Sequence, residues 1–154
     1  NLGVDFFRPL LQTPLLSSGE VEVIAATSEA VAAHLREEFP GLKAGYVPLD
    51  VVAPTAAAVV HHGGGVTVMT LLNAGTPQVV LPEIKYSAIP LRPVDEFGAS
   101  ITLPSHREPP EEVAAAISKI LENPSYAGRA AKLAEEIAGM PAPAEVVKKI
   151  EALV

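Results

Sequence analysis

From Val51 to Pro82 the chain carries no Asp, Glu, Lys or Arg. A stretch that long without charge is hidden from water, either in a bilayer or in the core of a folded domain. Pro54, the His61-His62 pair, Gly63-Gly64-Gly65 and Pro77 cut it into short pieces. No apolar run of about 18 residues survives those cuts, so a membrane span is not expected. Short uncharged runs separated by turn residues are what strands covered on both faces of a parallel sheet look like.

The rest of the chain supplies the helices that such a sheet needs. Val21-Glu22-Val23-Ile24-Ala25 is β-branched and bounded by Gly19 and Thr27-Ser28, which reads as a strand. Glu29 to Glu38 then places Val31, Ala32 and Leu35 at helical spacing, with Thr27 or Ser28 as the cap and Pro40-Gly41 as the stop. Lys43 to Val47 and Ala56 to His61 read as the next strands, and Gly64 to Leu72 as a helix closed near Gly75-Thr76-Pro77. Gln78 to Leu81 and Ala99 to Leu103 follow as strands, joined by a polar, helix-compatible segment. Beyond Pro109-Pro110 the stretches Glu111 to Leu121, Tyr126 to Ala138 and Ala144 to Leu153 are all helical in spacing. Strand-helix alternation without hairpin turns predicts an α/β, Rossmann-like doubly wound parallel sheet closed by a helical C-terminal tail.

Composition narrows what the fold can do. The chain has 154 residues, one domain's worth, with 49% hydrophobic residues and a net charge of -7. A phosphate-backbone partner requires the opposite sign, so nucleic acid is disfavoured. The absence of cysteine removes disulfides, thiolate nucleophiles and Cys-based zinc sites. His61 and His62 are adjacent, so on an extended backbone they point to opposite faces, and His34 and His106 sit in polar contexts. No metal site is expected from them. The pairs Glu37-Glu38, Glu111-Glu112 and Glu135-Glu136 fall within helices and read as solvated faces; Asp50, Glu83 and Asp95 lie nearer strand ends. Asn1 opens on Leu2-Gly3-Val4 with no Met and no signal sequence, which reads as a fragment without targeting information.

Chemistry concentrates in Val59-Val60-His61-His62-Gly63-Gly64-Gly65-Val66-Thr67, where a buried strand turns into a helix. Unpaired backbone amides and the positive helix end converge there, and glycines let a ligand approach the backbone. An imidazole and a Thr hydroxyl beside those amides suit a diphosphate. A tight turn whose glycines serve packing alone has the same sequence, and at this level both readings stand. The turn is neither a P-loop nor a Gly-x-Gly-x-x-Gly dinucleotide fingerprint, and no Ser-His-Asp arrangement is visible.

Four blocks together carry a resemblance. They are Val47-Pro48-Leu49, Ala53-Pro54-Thr55, Ala58 through Gly64, and Ala74-Gly75-Thr76-Pro77-Gln78-Val79-Val80-Leu81-Pro82. With Phe97-Gly98-Ala99 and the closing Gly139-Met140-Pro141-x-Pro143, they resemble the C-terminal, nucleotide-sugar-binding half of a GT-B glycosyltransferase acting on natural products. Within that family the turn and the tail look most like transferases that attach deoxysugars to aromatic polyketides, including the urdamycin-type C-glycosyltransferases.

The resemblance implies roles for particular residues. Tyr46 stands where an aromatic stacks on the donor base, with the Val47 main chain beside it; as a bare strand end, Tyr46 would instead cover the core. His62 takes the position of the diphosphate-contacting histidine, joined by the amides of Gly64, Gly65, Val66 and Thr67 and by the Thr67 hydroxyl. Gly3 falls on the first strand-to-helix loop, near the donor, with its preceding strand absent. After Pro82 the acidic sugar-reading motif of many members is replaced by Glu83-Ile84-Lys85-Tyr86-Ser87, which leaves Tyr86 and Ser87 facing the sugar and suits a deoxysugar.

The implied reaction is inverting, metal-independent transfer from a dTDP-sugar, which is a substrate, with no cofactor. The catalytic base and the site for the small-molecule aglycone would belong to an absent N-terminal domain. Val146, Val147 and Ile150 of the last helix would cross onto that domain, and this chain alone would bind donor without turnover. A cytoplasmic location and a possible oligomer go with that reading. The competing class is a non-catalytic nucleotide-sugar-binding or accessory domain, whose anion turn would look the same. An epimerase lacks locatable catalytic residues, and a UDP-using cell-wall transferase fits the Pro77 to Pro82 block less well.

Overall fold

The computed structural model describes residues 3–83, 89 and 91–153. Its strands are short and all parallel. β1 (Ile24–Ala26) pairs with β2 (Lys43–Gly45), and β3 (Val59–His61), β4 (Gln78–Val80) and β5 (Ser100–Thr102) form a second ladder in that order. Ile24 is in register with Lys43, His61 with Val80, and Val80 with Thr102. The expected parallel sheet is thus present as two ladders among the described residues. The strands are shorter than the apolar runs that predicted them, because Val21 to Val23 and Ala56 to Ala58 lead in without ladder bonds.

The helices follow the periodicity closely. α3 (Glu29–Glu38) begins after Ser28, which stands at the N-cap without a side-chain hydrogen bond to the helix, so the capping expected there is not made. α5 (Gly65–Ala74) closes on Gly75, and α6 (Arg92–Phe97) on Gly98. α7 (Pro110–Glu122) starts with Pro110 in its first turn beside Glu111 and Glu112, where fixed φ and negative charge both suit a helix N-terminus. α8 (Ser125–Ala138) and α9 (Pro143–Glu151) complete the tail. Four further elements escaped the periodicity: α1 (Val4–Leu11), α2 (Pro14–Ser17), α4 (Leu49–Val52) and a 3-10 turn over Ala53–Thr55. α1 contains Pro9, and the others are about one turn long, too short for a repeat to register.

Helices cover both faces of the three-stranded ladder. On one face Val79 and Leu81 pack with Val113, Ala116, Ile117, Ile120 and Tyr126, joined by Phe6 and Leu10 of α1. On the other, Val80 packs with Val68 and Leu91. β4 is therefore buried along its whole length. This explains why the sequence around it carries no charge. A separate cluster of Leu11, Ala25 and Leu35 seats α1 and α3 on the two-stranded ladder. Arg8 pairs with Glu38 at 2.6 Å between those two helices, a solvated contact that orients more than it stabilises. No described helix is long and apolar enough to cross a membrane.

Candidate functional site

β3 ends at His61 and α5 begins at Gly65, so the glycine turn spans the step from buried sheet to open surface. The two histidines part there, in line with their alternation on an extended backbone. His61 is 6% exposed, whereas His62 is on the surface. His61 Nε2 lies 2.9 Å from Gln78 Oε1, and the Gly63 amide donates to His61 Nδ1 at 3.1 Å. Burial pushes the His61 pKa down to about 4, against the opposing Gln78 hydrogen bond and with a smaller contribution from His62. The imidazole is thus neutral at physiological pH.

The three glycines are present for three different reasons. Gly63 has φ 85°, a left-handed conformation that side chains resist. Gly64 is extended, but a Cβ there would lie 2.8 Å from His62 Cε1, so its hydrogen lets the His62 ring lie against the turn. Gly65 is helical, and a Cβ on it would meet nothing within 4 Å. The fold makes no demand for glycine at Gly65. What a side chain would obstruct there is the approach from outside.

The helix end itself is open. Gly64 is the N-cap and offers no side chain, and the first helical hydrogen bond is from the Val68 amide to Gly64 O at 2.9 Å. The amides of Gly65, Val66 and Thr67 precede that bond and project from the positive end of a ten-residue helix. Val66 is 84% exposed. Converging amides, a helix dipole and an adjacent imidazole can together hold an anion with several oxygens, as a diphosphate has.

Tyr46 follows directly on β2, and its ring is 88% exposed, so it does not cover the core. Val47 beside it is half-buried. The segment that leads away from Tyr46, through α4 and the 3-10 turn, packs on α5, and the Thr76 hydroxyl ties that segment down by donating to Ala53 O at 2.7 Å. Tyr46 is therefore followed within three residues by an element that packs on the helix of the amide turn. Gly3 is the N-cap of α1, with the Phe6 amide donating to its carbonyl at 3.0 Å. Tyr86 and Ser87 lie outside the described residues.

The other sequence candidates lie on separate segments. Asp95 sits in α6 and accepts a hydrogen bond from Ser100 at the start of β5, the opposite end of the strand from the turn. Asp50 and Glu83 are exposed. His106, which the sequence places in a polar context, is half-buried, with Nδ1 enclosed. No three described His, Asp or Glu residues cluster as metal ligands would. Two concavities, of about 360 and 700 Å³, are lined by other segments. Sequence reasoning passed over Gln78; its signal was a polar residue inside a run that is otherwise apolar.

Comparison with known proteins gives this geometry a context. The 10-deoxymethynolide desosaminyltransferase of Streptomyces venezuelae is 33% identical over 139 residues, covering 90% of this chain and 33% of that protein. The aclacinomycin-T 2-deoxy-L-fucose transferase of Streptomyces galilaeus is 31% identical over 140 residues, covering 90% and 32%. Among solved structures, the glycosyltransferase SsfS6 of Streptomyces sp. SF2575, complexed with thymidine diphosphate, matches with a TM-score of 0.74 at 36% identity, over 92% of this chain and 36% of that one. The chain thus spans about a third of the length of these relatives. Residues 15–153 match the family described as erythromycin biosynthesis protein CIII-like, C-terminal domain. With α/β architecture, parallel strands and a helical tail, the chain belongs to that family and has the fold of the C-terminal half of a GT-B glycosyltransferase.

Proposed function

We propose that this chain is the donor-binding half of a glycosyltransferase that moves a deoxysugar from a dTDP-sugar to an aromatic polyketide or similar natural-product acceptor. The observation that carries the reading is the uncapped N-terminus of α5, with three amides that have no partner among the described residues, the exposed His62 beside it and no contact within 4 Å for a Cβ at Gly65. The 2-deoxysugar named for the aclacinomycin relative and the thymidine diphosphate named for SsfS6 support the choice of donor. The Val at position 66 and the Gly139-Met140-Pro141 tail favour the urdamycin-type branch.

In the reaction, an acceptor oxygen or aromatic carbon attacks the sugar C1 as the bond from C1 to the diphosphate oxygen breaks. Inversion follows from attack on the opposite face. Negative charge grows on the departing dTDP, and amides fixed at Gly64, Gly65, Val66 and Thr67, with His62 and the Thr67 hydroxyl, stabilise it where it forms. Tyr46 stacks on the thymine, and the Val47 main chain meets the base edge. Tyr86 and Ser87 are the residues assigned to reading the sugar, and Gly3 borders the donor from the start of α1. The proton leaves to a base in an N-terminal domain, which also holds the aglycone and meets the exposed Val146, Val147 and Ile150 of α9. No metal or cofactor enters the scheme, the location is cytoplasmic, and assembly into oligomers is compatible with it.

Calorimetric titration of the full-length protein with dTDP and UDP, repeated on His62→Ala and Tyr46→Ala, tests the reading. Preference for dTDP, with affinity lost about tenfold in each variant, is the expected result. Absence of dTDP binding in the unsubstituted protein overturns it. Binding without transfer to any acceptor would instead leave an accessory domain.

A further inference from the structure

Gln78 is fully buried at the start of β4, at the far end of the strand from the donor turn, yet it is the residue that His61 touches. The hydrogen bonds around His61 admit one arrangement. The Gly63 amide can only donate, so His61 Nδ1 carries the lone pair and Nε2 carries the proton. The partner of Nε2 must then be an acceptor, which fixes the Gln78 amide with Oε1 toward the ring. That orientation leaves Gln78 Nε2 enclosed with no partner among the described residues. A leucine or methionine at this position would spare the core an unsatisfied amide. The glutamine is explained by the acceptor that it presents.

We propose that Gln78 is a positioning residue for the donor turn, acting through His61: its Oε1 holds the ring with Nδ1 facing Gly63, and the Gly63 amide so held sets the left-handed step that places His62 and the α5 amides. The backbone supports the same path, since the Leu81 amide donates to His61 O at 2.8 Å and the ladder thus reaches the last residue of β3. Beyond His61 the ladder ends, and the side-chain bond to Gly63 takes over as the anchor. The amide carboxamide also suits the task better than a carboxylate. A glutamate would favour a doubly protonated ring, whose Nδ1–H would face the Gly63 N–H donor to donor.

The inference rests on the donor-site reading, and its test separates the two. In full-length protein labelled with 15N at histidine and glycine, nitrogen-proton spectra report the His61 tautomer and the exchange of the Gly63 amide without nucleotide. The expected result is a single Nε2–H tautomer, with faster Gly63 exchange in Gln78→Leu. Titration with dTDP then gives a double-mutant cycle. Gln78→Leu should weaken binding about tenfold beside His61, but less than about twofold in a His61→Asn background, where the shorter side chain keeps an acceptor for Gly63 and no longer reaches Gln78. Equal losses in both backgrounds would make Gln78 a packing residue and overturn the proposal. An Nδ1–H tautomer, or Gly63 exchange unchanged in Gln78→Leu, would also overturn it. If the unsubstituted protein binds no dTDP, the donor reading falls, and tautomer and exchange still decide whether Gln78 and His61 hold the turn.

Discussion

The two ladders of this domain differ in how completely they are built. In the three-stranded ladder Val79, Val80 and Leu81 are sealed between helices, and the turn that leaves it is fixed by His61 and Gln78. In the two-stranded ladder Ile24 is 44% exposed, β2 is nowhere fully buried, and the aromatic that follows it stands in solvent. The end proposed for the diphosphate is therefore preformed, with donors held before any ligand arrives. The end proposed for the base offers a ring whose enclosure comes from the ligand itself. A site made this way gains its electrostatic strength from rigidity and its base contact from stacking.

The largest expected effect tests the first half of that contrast. Leu81→Ala removes a fully buried side chain, directly after β4, from the cluster that packs on α7 and should cost about 4 kcal/mol in denaturant unfolding. Ile24→Ala should cost no more than about 1 kcal/mol, because nearly half of the side chain is in water already. Equal losses would erase the distinction between the ladders.

A somewhat smaller effect belongs to His61. Its folded pKa of about 4 lies below the ordinary 6.5 because burial penalises the charged ring. Between those two values the unfolded chain binds the proton and the folded one does not. Stability from this group is therefore complete above pH 6.5 and falls as pH drops toward 4, by roughly 3 kcal/mol in all. The measurement is the difference in unfolding free energy between the protein and His61→Asn across that window. A difference that stays flat would mean that the ring accepts its proton without resistance, and the turn would then be a looser structure than the one described.

Dissecting the nucleotide probes the contrast at the site itself. Pyrophosphate should lose about tenfold in affinity in His62→Ala and nothing in Tyr46→Ala, since it reaches only the preformed end. Thymidine should show the reverse, with about tenfold lost in Tyr46→Ala. Competition against labelled dTDP reads both. Should Tyr46→Ala weaken pyrophosphate as well, the two ends are coupled and the division into built and unbuilt halves is wrong.

Much of this was legible in the sequence because burial leaves a strong imprint. The charge-free stretch marked β3, α5 and β4, and the alternation of β-branched runs with helical spacing gave their order. α1 and α4 left little trace, since one turn of helix, or a helix carrying Pro9, has no period to read. At the site, alternation showed that the two histidines part and the resemblance gave His62 to the diphosphate, while what His61 turns toward and the separate work of the three glycines were not visible. That His61 turns inward to Gln78, that Gly64 makes room for His62, and that Gly65 makes room for nothing in the protein are facts of packing between segments distant in sequence. Sequence spacing holds no record of them.

Gly65 supplies the smallest effect and the most discriminating sign. It is the first residue of α5, its conformation is helical, and an added Cβ meets open space. On stability alone alanine should be the better residue there, because glycine loses more backbone freedom on folding, and Gly65→Ala should stabilise the domain by about 0.5 kcal/mol. If the turn is only a turn, nothing else changes. If a diphosphate lies against these amides, the same methyl group intrudes on its approach, and dTDP affinity should fall by several-fold, on the order of 1 kcal/mol, while the melting temperature rises. Stability and affinity moving in opposite directions on one methyl group would mean that glycine is kept at this position for a ligand and not for the fold; a rise in stability with dTDP affinity unchanged would return the turn to packing.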